Sequence, residues 1–407
     1  NIKIIVFLYI FAGLIGMIKI SGGIKGFVAS VSKRIKSKKG ALFLTWISTL
    51  GTFSAPSFRI VTIAPIMRAL IKRVKMTPQE LGFVIETTSS PVIVLIPLAT
   101  AFVGYMTSVI ELSLKNDGIS GNAYILYLKS IPYNFFSISI LILGFYLSFF
   151  HHSKKPATDA GNEDGEIDDN WEDCHPSVAK DLPSKPLNLI IPLVLVIGLT
   201  LFLTYWDGYE KGYQFFQAFI KADVLDAMVI ALIITTLFSV INLMIQHIPL
   251  RAIISNFTEG GNSMMPVILL LAVVWGLATG AKDLGFSEYI SANVDWIPKT
   301  FVPPVLFLLG SAISYFIGSS WGTWGILMPL GISMAHVSGT PLPIVIGAVF
   351  ASGTFGAFAS PLSDNTNTIA SILKLNVIPY AKFKLKPALI ALAFATLLYA
   401  LVPLFLR

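Results

Sequence analysis

Two stretches of the 407-residue chain place a carboxylate inside a run of hydroxyl and amide side chains. In one, Glu86 is followed by Thr87, Thr88, Ser89 and Ser90; in the other, Asp364 lies among Ser360, Ser363, Asn365, Thr366 and Asn367. Hydroxyls, amide carbonyls and carboxylates are hard oxygen donors, which suit an alkali cation better than a soft metal. Burial raises a carboxylate's pKa toward the physiological range, so one such group can hold either a proton or Na+. That competition is enough to couple the two in exchange. A plainer role is open to both residues, since an acidic group beside a helix N-terminus can simply cap it.

The elements that must position these groups are written in the composition. Hydrophobic residues make up 55% of the chain and charged residues only 13%, about half the charge usual in soluble domains. Apolar runs at 191–206, 224–245, 264–280 and 387–406 approach or exceed the ~18 residues expected of a helix crossing a bilayer. None shows the ten-residue alternation of a membrane β-barrel. The reading is an all-α polytopic membrane protein, multi-pass in a bacterial-type inner or plasma membrane, with the lipid bilayer as its first partner. The formal net charge of +7 sits in short loops between spans, where it orients them and gives no nucleic-acid surface. The single cysteine, Cys174, excludes a disulfide framework, and the scattered histidines give no metal-ligand spacing. No nucleophile–base pair or phosphate loop points to an enzyme, and no cofactor beyond transported Na+ and H+ is expected. A homo-oligomer is compatible with such an architecture. The chain opens on Asn1 inside an apolar run, which reads as a natural sequence missing its start.

Internal repetition organises the rest. Residues 13–31 resemble 276–294, residues 42–70 resemble 307–335, and residues 81–101 lie opposite 346–371. The second and third pairs each interrupt an apolar run with Gly, Ser or Pro. Each copy then closes on a full span, at about 126–150 and 387–406. Domain boundaries follow: a first repeat at 1–150, N-terminally truncated; an acidic cytoplasmic linker at 151–186; two connecting helices within 187–246; and a second repeat at 247–407. Counting each interrupted pair as a re-entrant hairpin gives the copies opposite orientations. Loops then placed inside, including 374–386, hold eighteen Lys and Arg against seven outside, as the positive-inside rule requires. Inverted repeats with re-entrant hairpins and broken helices are the architecture of secondary transporters, whose ion sites use the unwound segments. Only Glu86 and Asp364 fall in such segments, and an ionisable group at that depth costs at least ~2.5 kcal/mol.

Residues 318–335 (GSSWGTWGILMPLGISMA) and 352–371 (SGTFGAFASPLSDNTNTIAS) resemble NhaC-type sodium/proton antiporters of the ion transporter superfamily, as do 67–100 and 222–238. The resemblance implies an electrochemically driven cation/proton exchanger, with Glu86 and Asp364 where the family usually has Asp. Two motifs depart from it. Residues 53–57 read Phe-Ser-Ala-Pro-Ser where the family carries Phe-Asp-Asp-Tyr, and Gly356-Ala357-Phe358 stands in place of Gly-Asp-His. Arg59 appears beside the first of these breaks, and Arg stays charged at any relevant pH. It forms an ion pair with Glu86 or Asp364, or it meets a substrate.

The candidate ion- and substrate-binding residues are therefore Asp364, Asn365, Ser363, Thr366, Ser360, Glu86, Thr87, Ser90 and Arg59, with Na+ on Asp364 and Glu86. The first expectation is a Na+/H+ antiporter. The second is a Na+- or H+-coupled transporter of a small organic anion held by Arg59. The third is a transport-inactive membrane scaffold, against which the retained Ser, Thr and Asn donors argue.

Overall fold

The computed structural model describes residues 2–23, 26, 37–53, 55–74, 76–97, 100–150, 185–214, 217–218, 222–285, 289 and 298–405. Most of the expected acidic linker lies outside these residues. All regular structure among the described residues is helical. In chain order the helices are α1 (Ile2–Ile20), α2 (Lys38–Ile47), α3 (Thr49–Thr52), α4 (Pro56–Val74), α5 (Pro78–Thr87), α6 (Ser90–Ile93) and α7 (Ala101–Asn116). Next come α8 (Ala123–Ser130), α9 (Phe135–Phe149), α10 (Leu187–Glu210), α11 (Val224–Ile245), α12 (Leu250–Asn262) and α13 (Met265–Asp283). The last five are α14 (Val302–Ile317), α15 (Ser320–Ser338), α16 (Leu342–Ala359), α17 (Asp364–Leu373) and α18 (Val377–Phe405). Six stretches among the described residues are long and apolar enough to cross a membrane: α1, α10, α11, 250–277, 342–373 and 377–404.

The chain divides into two compact units. The first comprises Asn1–Ile35, Leu98–Tyr105 and Asp169–Leu269; the second comprises Lys36–Pro97, Met106–Asp168 and Leu270–Arg407. Both cut across the sequential repeats, because helices pack by face and not by order along the chain. In the first unit α1 packs on α11 and α12, and α10 packs on α11. Small residues let α1 and α12 touch backbone to backbone: a Cβ on Gly16 would overlap the Asn256 carbonyl, and one on Gly260 the Ala12 carbonyl. Leu201 and Phe202 on α10, and Leu237 and Ile241 on α11, are exposed. An apolar band of that kind is anomalous in water and ordinary against lipid.

The second unit contains the broken elements, interrupted where the sequence predicts. The stretch read as a hairpin at 42–71 is α2 and α3, then a break before Pro56, then α4. Its counterpart is α14 and α15, separated by Gly318 and Ser319. Gly318 has φ 74°, the left-handed region that glycine enters without a Cβ penalty. Ser319 then caps α15, accepting from the Gly322 amide at 3.3 Å. The third pair is α5–α6, interrupted at Thr88 and Ser89, and α16–α17, interrupted at 360–363. A capping box starts α5: Thr77 Oγ1 accepts from the Glu80 amide, and Glu80 Oε2 accepts from the Thr77 amide. Helix α16 is buried throughout from Ile344 to Ala359, up to the break, while α17 buries only the face of Thr366, Ile369, Ala370 and Leu373.

Two closing spans differ from expectation. The stretch 126–150 is no single helix: α8 and a turn of 3₁₀-helix at Ile131–Tyr133 meet α9 at 43°. Asn134 makes the corner, its Oδ1 accepting from the Ser137 amide. The other closing helix starts ten residues before Pro387, at Val377. Residues 377–386, read as part of an inside loop, are therefore helical, and Pro387 sits inside the helix where it was read as the start.

Within this unit α16 packs on α14 and α15, again through small residues. A Cβ on Gly356 would run into the backbone and hydroxyl of Ser314. Gly356→Ala should therefore destabilise the protein by about 1–3 kcal/mol through overpacking, read as a lower thermal unfolding midpoint in detergent. An unchanged midpoint would mean the two helices do not touch there.

Candidate functional site

The break in α5–α6 builds two buried polar clusters, one on each side. The first surrounds Arg59, in the first turns of α4 and 0% exposed. Its Nη1 donates to Ser48 Oγ at 3.2 Å and Thr52 Oγ1 at 2.9 Å. Its Nη2 donates to the Thr45 carbonyl and to Thr88 Oγ1, both at 2.6 Å. Its Nε finds no acceptor. No carboxylate lies within ion-pair distance of Arg59 among the described residues. The expected pairing with Glu86 or Asp364 is absent; hydroxyls and one carbonyl hold the guanidinium instead. A cation near a helix N-terminus also opposes the macrodipole, so this charge is held against both desolvation and local field.

The second cluster surrounds Glu86, on the last turn of α5 and 2% exposed. Lys384 on α18 places its Nζ 2.7 Å from both Glu86 oxygens, and Tyr380, one turn earlier, donates its hydroxyl to Oε2. Thr366 Oγ1 on α17 lies 3.2 Å from Glu86 Oε1, 2.9 Å from the Ser360 carbonyl and 2.6 Å from Lys384 Nζ. A buried ion pair survives desolvation only when its remaining hydrogen-bonding capacity is used. Here Tyr380 and Thr366 use it.

The other expected residues divide between these surroundings and the surface. Asn365 Nδ2 donates to Ser90 Oγ at 2.9 Å, tying α17 to α6. Ser360 Oγ donates to the Tyr315 carbonyl and accepts from the Leu362 amide, while Ser363 Oγ donates to the Ala357 carbonyl. Both serines therefore hold the break in α16–α17. Thr87 is buried with its hydroxyl unpartnered. Asp364 stands apart: it opens α17, is exposed, and has no hydrogen-bond or ion-pair partner among the described residues. The two carboxylates read as equivalent are thus unlike, Glu86 neutralised in the interior and Asp364 free at a helix start.

Three parts of this arrangement escaped the sequence reading. Lys384 and Tyr380 fell in a segment assigned to a loop because Pro387 was taken as a helix start, and three lysines in five residues looked like an orientation signal. The usable signal was their spacing of four, which puts both on one helical face. Thr45, Ser48 and Thr52, spaced three and four apart, likewise form the hydroxyl stripe that receives Arg59.

Breaking the Glu86–Lys384 pair from one side strands a buried charge, so Glu86→Gln or Lys384→Met alone should lower stability by roughly 3–5 kcal/mol. The double variant should recover most of that loss. Thermal unfolding of the three proteins in detergent measures it, and strictly additive losses would show that the two side chains do not interact.

Residues 92–403 match the Na+/H+ antiporter family. A Haemophilus influenzae protein of unspecified activity is 25% identical over 398 residues, covering 95% of this chain and 75% of that one. The malate-2H(+)/Na(+)-lactate antiporter of Bacillus subtilis is 30% identical over 148 residues, 32% of each chain. Among solved structures, Neisseria gonorrhoeae MtrF, described as illuminating a class of antimetabolite efflux pumps, superposes with a TM-score of 0.71 at 12% identity, covering 97% of this chain and 80% of that one. At that identity the likeness is one of fold.

Proposed function

The chain belongs to the Na+/H+ antiporter family and is a multi-pass secondary transporter; from that premise we propose that it exchanges a small organic anion bearing a carboxylate, coupled to Na+ or H+, across the cell membrane. The observation that carries this reading is Arg59, wholly buried with no acidic partner among the described residues and with Nε unpartnered. Glu86 cannot balance it, because Lys384 already occupies both carboxylate oxygens. Among the described residues the buried charged groups, Arg59, Glu86 and Lys384, therefore carry a surplus positive charge. That repels a bare cation and attracts an anion, and a guanidinium recognises a carboxylate through two parallel N–H bonds. The Bacillus subtilis relative is named for malate and lactate, both carboxylates, together with H+ and Na+, which supports the same substrate class here.

Access to an enclosed guanidinium requires α2–α3 or α5–α6 to part from α4, and alternating access in this architecture opens the site formed at interrupted helices by rocking or gating one bundle against another. Asp364, exposed and without a partner among the described residues, is the group left to take the coupling cation.

A second reading, Na+/H+ exchange without an organic substrate, rests on the family and on Asp364 as a free carboxylate. Proteoliposome exchange separates the two. Arg59→Ala should abolish exchange of lactate, malate or other small carboxylates, reducing it at least tenfold. Should Arg59→Ala leave Na+/H+ exchange intact in a protein that moves no carboxylate at all, the second reading replaces the first. Asp364→Asn should leave the protein inserted and the anion bound, but remove the dependence of transport on a Na+ or proton gradient. Unaltered coupling in that variant would reduce Asp364 to a helix cap.

A further inference from the structure

The Lys384 ammonium stands in a cage of the kind that holds a transported cation. Its Nζ lies 2.7 Å from Glu86 Oε1, 2.7 Å from Glu86 Oε2 and 2.6 Å from Thr366 Oγ1. Aromatic rings flank it as well: the Tyr380 and Phe358 centroids are 4.9 and 5.4 Å from the nitrogen, within cation–π range. Lys384 is 0% exposed. The three oxygens are supplied by α5 and α17, each lying directly beside the interruption of its broken helix. In this architecture such interruptions are where carbonyls and side chains converge on the driving ion. A carboxylate and a hydroxyl are the hard donors Na+ prefers.

We infer that Lys384 is a resident cation, its ammonium filling the position that Na+ would take between the two broken helices, so that the protein binds no Na+ at Glu86. A lysine tethered to α18 cannot leave across the membrane, so this position holds α5, α17 and α18 together and exchanges nothing. The inference rests on family membership and on the cage geometry, independently of which anion is carried. Its consequence is specific: shortening the lysine turns the cage into a Na+ site, whereas an ordinary buried ion pair broken the same way would leave only an unbalanced carboxylate.

The test is thermal unfolding of the full chain, purified in detergent, in NaCl against choline chloride at equal ionic strength. Lys384→Ala should gain several degrees in midpoint on exchanging choline for Na+, saturably and beyond any response of the parent. Lys384→Met, which fills the cage without charge, should respond only as the parent does. The double variant Glu86→Gln/Lys384→Ala, which removes the carboxylate, should do likewise. The inference is overturned if Lys384→Ala responds to Na+ no more than the parent, or if the double variant responds as strongly as Lys384→Ala. Failure to recover folded Lys384→Ala even from Na+-rich medium overturns it too, since Na+ would then be unable to replace the ammonium.

Discussion

Charge held out of water is the constraint on which the second unit is built. Glu86 and Lys384 lie 2.7 Å apart at 1% and 0% side-chain exposure, and each would cost several kcal/mol to bury alone. Their attraction offsets that cost only because Tyr380 and Thr366 complete the hydrogen bonding. The contact also fixes which elements meet: α5 brings the carboxylate, α18 the ammonium and phenol, α17 the hydroxyl. A rotation of α5 or α18 by a single residue would leave a buried charge unpaired, and one of α17 would withdraw the hydroxyl, so the pair specifies register as much as it contributes stability.

Arg59 is the complementary case. It is held by four neutral acceptors and by no carboxylate among the described residues, with one N–H left over. Neutral hydrogen bonds solvate a guanidinium without cancelling its charge, so the field persists for something else to answer. The two clusters share one short piece of chain. Glu86 faces α18, Thr88 receives Arg59 and Ser90 receives Asn365, all within five residues that span the interruption of α5–α6. A shift of that interruption necessarily disturbs both, which is a physical basis for coupling movement at one cluster to the state of the other.

Around this centre the small residues do a different job. Gly356 against Ser314 and Gly310 against Ser352 let α16 lie close on α14, and in lipid close packing takes the place of a hydrophobic driving force between helices. Trp324, fully buried, donates Nε1 to the Phe350 carbonyl at 3.1 Å and so packs α15 on α16.

The sequence alone determined the helical membrane class, the presence of long apolar helices now seen at Leu187–Glu210 and Val224–Ile245, and the interruptions near Pro56, Gly318, Ser89 and 360–363. These follow from local properties: apolar length sets a span, and Gly, Ser and Pro set where backbone bonding stops. It also singled out Glu86 and Arg59 as charges in unusual places. Tertiary structure alone decided what each charge meets. Lys384 is 298 residues from Glu86, and the 382–386 lysines are alike in type yet differ in fate, Lys384 buried and its neighbours Lys382 and Lys386 exposed. Only the packing of α18 against α5 and α17 selects one of the three. The same holds for Asp364: a carboxylate in a polar break reads as buried from its neighbours in the chain, but its burial depends on which way the first turn of α17 faces, and that turn presents Thr366 inward and Asp364 out.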